Sequence, residues 1–180
     1  KNPDKVRNYA EKIVVSSQHL LSLINDVLDM SKIESGKTTL NLCDVNLADI
    51  INETDNIIRP QAKKKNQTFV VKSDGVEYCC ITADKLRLSQ ILINILSNAV
   101  KYTEEGGNIT FEIKEIKVTN PQIVKYKFII SDNGIGMSEE YLKDIFKPFT
   151  REETSLTDAV QGTGLGMAIT KNLIDLMGGT

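Results

Sequence analysis

Asp132-Asn133-Gly134-Ile135-Gly136, followed after a polar stretch by Gly162-Thr163-Gly164-Leu165-Gly166, is the part of the sequence that decides the fold. The first motif follows residues 125–131, whose alternating pattern predicts a strand. The second motif opens residues 165–177, whose apolar periodicity predicts a helix. Glycine permits close backbone approach to a ligand, and a helix N-terminus favours phosphate. The two motifs therefore predict loops that surround a nucleotide.

A predicted helix over residues 85–102 precedes both motifs. Asn94, Asn98 and Lys101 stand at positions i, i+4 and i+7, so their side chains share the face opposite the apolar stripe. An amide oxygen can be a single protein ligand for Mg²⁺, and a lysine adds positive charge near phosphates. The alternative for this segment alone is an ordinary solvated face of an amphipathic helix.

The first glycine motif also has two readings. Asp132 could accept a hydrogen bond from the amino group of a base, or Asp-Asn-Gly could form an ordinary Asx turn. The second motif lacks the Gly-Lys-Ser/Thr ending of a Walker loop, and its spacing is not a convincing dinucleotide fingerprint.

Four segments in order resemble the sequence boxes of one protein family. Residues 88–103 are similar to its N box, residues 132–137 to its first glycine box, Ile145-Phe146-Lys147-Pro148-Phe149 to its F box, and residues 162–169 to its second glycine box. The chain thus resembles the catalytic, ATP-binding part of sensor histidine kinases. These belong to the Bergerat-fold superfamily, which also holds gyrase- and MutL-type ATPases.

The resemblance implies ATP and Mg²⁺ as ligands and assigns roles by position. It implies that Asn98 holds the metal and Asp132 reads the adenine amino group, with Tyr102 near the adenine. It places Asn94, Lys101 and Arg151 in catalysis, Arg151 directed at the terminal phosphate. The nucleotide-binding residues that it implies are Asn94, Asn98, Lys101, Tyr102, Asp132, Gly134, Ile135, Gly136, Met137, Phe149, Gly162, Thr163, Gly164, Leu165 and Gly166.

Asn94 separates two subclasses of this superfamily. The ATP-hydrolysing relatives carry a glutamate there, which activates water, whereas an amide cannot act as a general base. The resemblance therefore favours transfer of the ATP γ-phosphoryl group to a histidine, in two-component signal transduction. A Bergerat-type ATPase and a non-catalytic nucleotide-binding scaffold remain the alternatives.

The N-terminal segment has a different pattern. Residues 4–34 place apolar side chains at heptad-like spacing, and Gly36 is suited to end the helix. Residues 1–36 resemble the second helix of the kinase dimerisation hairpin, which implies a homodimer and a response regulator or receiver domain as partner. The resemblance puts the acceptor histidine on an upstream helix rather than at His19, so autokinase activity is not expected of this chain alone.

Composition limits the other function classes. A net charge of −2 argues against nucleic acid as a partner, and no apolar run is long enough to span a bilayer. We expect a cytoplasmic protein without membrane contact, and the resemblance implies that any membrane anchor of the parent receptor lies outside these residues. Cys43, Cys79 and Cys80 are interpreted as reduced packing residues, with the adjacent pair on opposite faces of a strand.

The elements predict an α+β fold in which a long coiled-coil-type helix precedes a two-layer α/β sandwich with a mixed sheet, helices on one face. The domain is expected to cover residues 37–180 and to lack its final strands. Residues 147–161 are predicted to form an ATP lid. Asn46 is predicted to cap the helix over residues 47–64. The predicted strands are 38–43, 68–72, 78–82, 109–118 and 126–131, and the predicted helices of the domain are 47–64, 85–102, 139–146 and 165–177.

Overall fold

The structure is a computed structural model that describes residues 3–36, 38–73, 75–77, 79–120, 123–152 and 162–180. One long helix is followed by alternating strands and helices. The elements are α1 (Pro3–Glu34), β1 (Cys43–Asn46), α2 (Leu47–Lys64), β2 (Thr68–Lys72), β3 (Cys80–Ala83), α3 (Lys85–Tyr102), β4 (Asn108–Ile116), β5 (Lys125–Asp132), α4 (Glu139–Leu142) and α5 (Gly166–Leu176).

The strands form two sheets: a mixed three-stranded sheet of β2, β4 and β5, as predicted for the sandwich, and a separate pair of β1 with β3. β2 pairs with β4 in parallel, β4 pairs with β5 antiparallel, and β1 pairs with β3 antiparallel. Ile109, near the start of β4, is opposite Asp132 at the end of β5. This register brings the first glycine motif beside the loop that leaves α3.

The main core lies between the helices α2 and α3 and one face of the three-stranded sheet. Alternate residues of β4 point into it, and Ile109, Phe111 and Ile113 are fully buried there. Leu92 and Leu96 of α3 cover them from the helix side. The two-layer sandwich with helices on one face is therefore confirmed.

A second apolar cluster joins α5 to α3. Leu165, Ile169 and Leu173 are fully buried against Ile91 of α3, and Met30 of α1 packs on the same cluster. Because each such side chain stabilises the fold by about 1.5–3 kcal/mol when buried, this cluster fixes α5 and the glycine motif before it.

Side-chain caps begin the two core helices. Asn46 accepts a hydrogen bond from the Ala48 N–H at 2.9 Å, so the predicted cap of α2 is confirmed. At α3 the buried Asp84 does more, since one carboxylate oxygen accepts from the Arg87 N–H at 3.0 Å and the other from the Asn41 N–H at 2.8 Å.

Two predicted elements are wrong in position or length. The strand expected over 38–43 is instead Cys43–Asn46, because the Asn41 N–H is bonded to the Asp84 carboxylate and the ladder with β3 starts at Cys43. The helix expected over 139–146 ends at Leu142, and turns follow it to residue 146.

The cysteine interpretation is also wrong in two respects. All three thiols are exposed rather than packed. Cys79 precedes the first residue of β3, so strand alternation does not separate it from Cys80, and the two sulfur atoms lie 4.0 Å apart.

Candidate functional site

The polar face of α3 forms one wall of the site. Asn94, Asn98 and Lys101 all lie on this helix and are partly exposed. The Asn94 amide donates to the Gly166 carbonyl oxygen and to the Thr170 hydroxyl, both at 3.4 Å. Asn94 therefore links α3 to the first turns of α5.

Lys101 carries its charge into a partly desolvated position. Burial lowers the pKa of Lys101, and the nearby positive charge of Arg151 lowers it further. The Lys101 Nζ lies 5.0 Å from the centre of the Tyr102 ring. A Cβ built on Gly162 would lie 2.7 Å from the same Nζ atom. The structure thus brings the lysine of α3 against the second glycine motif, a favourable place for an anion.

The first glycine motif is held against the C-terminal end of α3. The Ile135 N–H donates to the Tyr102 carbonyl oxygen at 3.2 Å, and a Cβ on Gly134 would lie only 2.4 Å from that oxygen. Asp132 Oδ1 accepts from the Gly134 N–H at 2.9 Å, which is the Asx turn that the sequence allowed. The turn orients the Asp132 carboxylate, whose side chain is exposed at the mouth of the site.

The second glycine motif leads directly into α5. Gly164 has a φ of +70°, and a Cβ there would lie 2.9 Å from the Phe149 carbonyl carbon. The Leu165 side chain is fully buried, so only its backbone can face a ligand. The first N–H groups of a helix have no intrahelical partners, and Gly166 starts the helix without a side-chain cap.

Residues 135–152 form the outer rim. Ile135, Met137 and Phe149 are exposed apolar side chains, with Phe149 at a φ of +63° and its N–H donating to the Gly164 carbonyl oxygen at 3.0 Å. Arg151 lies near Lys101, and Glu152 accepts from the Ser138 N–H at 3.0 Å. Most of the predicted lid, residues 153–161, lies outside the described residues.

Tyr141 of α4 lies on the rim near Tyr102, Arg151 and Glu152. Burial raises the pKa of Tyr141, and the neighbouring Tyr102 and Glu152 raise it further, against an opposite effect of Arg151. These four side chains therefore share one region at the edge of the site.

The sequence did not predict the two polar side chains that donate hydrogen bonds to the carbonyl groups at the C-terminal end of α3. Lys65, which directly follows α2, donates to the carbonyl oxygens of Val100, Lys101 and Thr103 at 2.6–3.0 Å. The buried Gln67 donates to the Val100 and Thr103 carbonyls as well. No local signal marks either residue, since the partners are more than 30 positions away.

The motifs predicted to act together converge in space: the C-terminal end of α3 lies against both glycine motifs, and Arg151 is near Lys101. Within the described residues, no group of three His, Cys, Asp or Glu side chains could hold a metal ion. The helices of the described residues also include none that is both long and apolar enough to cross a membrane.

Comparison with known families decides the identity. Residues 83–180 match the family model described as histidine kinase-, DNA gyrase B- and HSP90-like ATPase. The chain belongs to this family. Residues 1–36 match the model of the His Kinase A (phospho-acceptor) domain. The two matches in this order identify the ATP-binding catalytic region of a sensor histidine kinase, which confirms the prediction from the sequence boxes.

Individual relatives agree. The chain is 37% identical over 165 residues to the autoinducer 2 sensor kinase/phosphatase LuxQ of Vibrio vulnificus, covering 91% of this chain and 19% of LuxQ. It is 37% identical over 172 residues to the sensor histidine kinase GacS of Pseudomonas protegens, covering 96% of this chain and 18% of GacS. The chain thus spans about one fifth of the length of these relatives.

A solved structure of full-length ShkA in complex with AMPPNP superposes with a TM-score of 0.78 at 30% identity. The superposition covers 96% of this chain and 34% of ShkA. The histidine kinase fold therefore extends over the α1 helix as well as the α/β sandwich.

Proposed function

We propose that this chain binds Mg²⁺–ATP between α3 and the two glycine motifs and transfers the γ-phosphoryl group to a histidine in two-component signalling. One observation carries the proposal. Lys101 and Tyr102 are the last two residues of α3. Lys101 lies against Gly162 of the second glycine motif, and the Tyr102 carbonyl oxygen accepts the Ile135 N–H of the first, so the C-terminal end of α3 contacts both motifs.

The residues present fit a nucleotide. Gly134 and Gly164 lie where any Cβ would clash with backbone, so both loops keep their backbone close to the site wall. The N-terminus of α5 offers amide donors and the positive end of its dipole to phosphate. The exposed Ile135, Met137 and Phe149 supply apolar surface for a base.

The donor set also fits Mg²⁺. The Asn98 amide oxygen is a hard, neutral ligand of the kind that Mg²⁺ combines with water and phosphate oxygens, and we assign Asn98 to the metal. When bound, the ion would supply neutralisation of phosphate charge.

The remaining roles follow from position. Asp132, held by its Asx turn, would accept the adenine amino group, with Tyr102 beside the base. Lys101 and Arg151 would bind phosphate oxygens. Thr163, Gly136 and the backbone of residues 162–166 would shape the loop around them. Phosphoryl transfer depends mainly on such positioning and charge compensation.

Asn94 supports transfer over hydrolysis. Its amide nitrogen donates to the Gly166 carbonyl oxygen and the Thr170 hydroxyl, so the side chain acts as a structural donor between α3 and α5. A side chain without a basic atom cannot activate water.

We further propose the partners and the location. The exposed apolar face of α1 and the His Kinase A match support a homodimer through this helix. Membership of the kinase family supports a response regulator or receiver domain as the next phosphate acceptor, and a cytoplasmic location. We place the domain boundary near residue 36, with the phosphate-accepting histidine on a preceding helix.

Calorimetric titration with Mg-ATP tests the site. We expect micromolar binding by the native chain, its loss in Asp132→Asn, and loss of its magnesium dependence in Asn98→Ala. Asp175→Asn, which makes the same charge change at the far end of α5, is the matched control and should bind as the native chain. Absence of binding by a native chain that unfolds cooperatively on heating would refute the proposal.

A further inference from the structure

We propose that Asp26 of α1 is a positioning residue that holds the second glycine motif through the hydroxyl group of Thr163. The position of α1 is thereby coupled to nucleotide affinity. This inference rests on the nucleotide site proposed above, and it concerns a residue outside all four sequence boxes.

α1 is anchored on the catalytic domain by one face near its C-terminal end. Asp26, Asp29 and Met30 stand at positions i, i+3 and i+4, so their side chains share that face. Asp29 Oδ2 accepts from the Arg87 guanidinium at 3.2 Å and from the Gln90 amide at 2.9 Å, with both partners of the ion pair mostly buried. Met30 packs on the apolar cluster of α5. These contacts fix the helix where Asp26 meets the glycine motif.

Thr163 passes the contact on to the motif backbone. Its hydroxyl donates to Asp26 Oδ2 at 3.2 Å and accepts from the Leu165 N–H at 3.1 Å. Because the single hydroxyl proton is directed at the carboxylate, the oxygen lone pairs are left for the Leu165 amide. Asp26 therefore orients the hydroxyl group that orders the residue preceding α5.

The two neighbours of Thr163 lie against two further parts of the proposed nucleotide site. Gly162 lies against the Lys101 ammonium group, and Gly164 lies against the backbone of Phe149. A motif already ordered in one conformation loses less entropy when a ligand binds it. Removal of the Asp26 contact should consequently weaken nucleotide binding.

A double-mutant cycle with Mg-ADP as the titrant measures this coupling in the full chain. We expect about five- to tenfold weaker binding in Asp26→Ala, at the low end of measured coupling between sites. Thr163→Val, which removes the hydroxyl group but keeps the shape, should weaken binding to a similar extent. The double variant should be no weaker than Thr163→Val, because the two residues act through one contact.

The conservative variant and the controls separate positioning from general stability. Asp26→Asn retains an acceptor oxygen and should bind close to the native affinity. Ser22→Ala, an exposed position one turn earlier on α1, should change nothing. Asp29→Ala loosens the anchor without removing the Thr163 partner and should weaken binding less than Asp26→Ala.

Amide hydrogen exchange without nucleotide gives a second readout that is independent of binding. Faster exchange over residues 162–166 in Asp26→Ala, restored in Asp26→Asn, would support the proposal even if the native chain bound no nucleotide. Native exchange in Asp26→Ala would overturn it. Additive losses in the double variant, or an equal effect of Asp29→Ala in both readouts, would overturn it too.

Discussion

At Gly134 the backbone of the first glycine motif lies too close to α3 for any side chain. A Cβ would lie 2.4 Å from the Tyr102 carbonyl oxygen, which already accepts the Ile135 N–H. We predict that Gly134→Ala lowers the free energy of unfolding by about 1–3 kcal/mol, the usual cost of overpacking. It should also weaken Mg-ATP binding, because the loop must move away from α3. Urea denaturation and calorimetry measure the two effects.

Gly75→Ala is the matched control for this substitution. Gly75 has a φ of +80° but open space around its Cβ position, so alanine there incurs only the cost of the left-handed backbone, about 1 kcal/mol. Nucleotide affinity should not change in that variant. If Gly134→Ala bound Mg-ATP as tightly as Gly75→Ala does, the close approach would have no role in the site.

The lowered pKa of Lys101 predicts that nucleotide binding at the proposed site is linked to proton uptake. This pKa in the free protein lies below 10.5, first because the side chain is buried and second because Arg151 is near. A bound phosphate favours the ammonium form and raises this pKa again. At alkaline pH between the lowered value and 10.5, we predict that Mg-ATP binding takes up protons, which calorimetry in buffers of different ionisation enthalpy detects.

The same shift sets the sign of the stability effect. Because the unfolded chain holds the Lys101 proton more tightly, this residue opposes folding at neutral pH, and its penalty fades as pH rises through the lowered pKa. Lys101→Met should therefore abolish the proton uptake and weaken binding without destabilising the free protein. Arg151→Ala should reduce the uptake. Equal proton uptake by native chain and Lys101→Met would contradict this role.

At the scale of elements, the two helix caps should differ in strength. Asn46 satisfies one amide at the start of α2, so Asn46→Ala should cost about 1 kcal/mol. The buried Asp84 satisfies the Arg87 amide of α3 and also the Asn41 amide, 43 positions away. Asp84→Ala leaves two donors without their acceptor, and we predict a cost of about 2–4 kcal/mol. Chemical denaturation of both variants checks the order, and equal costs would show that the Asn41 contact adds nothing.

The local sequence pattern predicted correctly the bounds of those elements that depend only on their own residues. The bounds of α2, β2 and α3 agree with the sequence prediction, because an apolar stripe and a capping side chain define each helix locally. Residues 38–43 alternate as a strand does, yet no ladder forms over most of them, since Asp84 takes the Asn41 amide. Competition from a distant carboxylate cannot be read from alternation.

The site also contains residues that the sequence predicts and residues that it does not. The glycine motifs and the α3 face have fixed spacings, so their convergence could be predicted. Lys65, Gln67 and Asp26 act on partners between 33 and 137 positions away, and a lysine run or a helical aspartate is usually only a solvated surface. Their roles follow from the tertiary fold.

At the scale of the whole molecule, α1 presents two different faces. Asp26, Asp29 and Met30 dock on the catalytic domain, whereas at 3.6 residues per turn Leu20 and Val27 lie on another side. The side chains of that second face are about half exposed or more; they include Val6, Tyr9, Ile13, Leu20, Ile24 and Val27. An exposed apolar stripe of this length marks an association surface. Dimerisation and docking can therefore occur together.

This separation leads to a prediction about the oligomer. We expect the native chain to be a dimer by sedimentation equilibrium and the double variant Leu20→Lys/Val27→Lys to be a monomer. Both positions are exposed within one chain, at 58% and 48%, so charge there should change monomer stability by less than about 0.5 kcal/mol. Asn8→Lys, exposed on the opposite side of α1, should leave the dimer intact.

The nucleotide affinity of the monomeric variant shows whether the docking of α1 on its own catalytic domain depends on dimerisation. Because Asp26 and Thr163 belong to the same chain, the docked face of α1 should survive monomerisation, and Mg-ADP should bind with unchanged affinity. A dimer that persists in the double variant would place the association surface elsewhere. A monomer that loses nucleotide affinity would mean that α1 docks on its own catalytic domain only when the partner helix supports it.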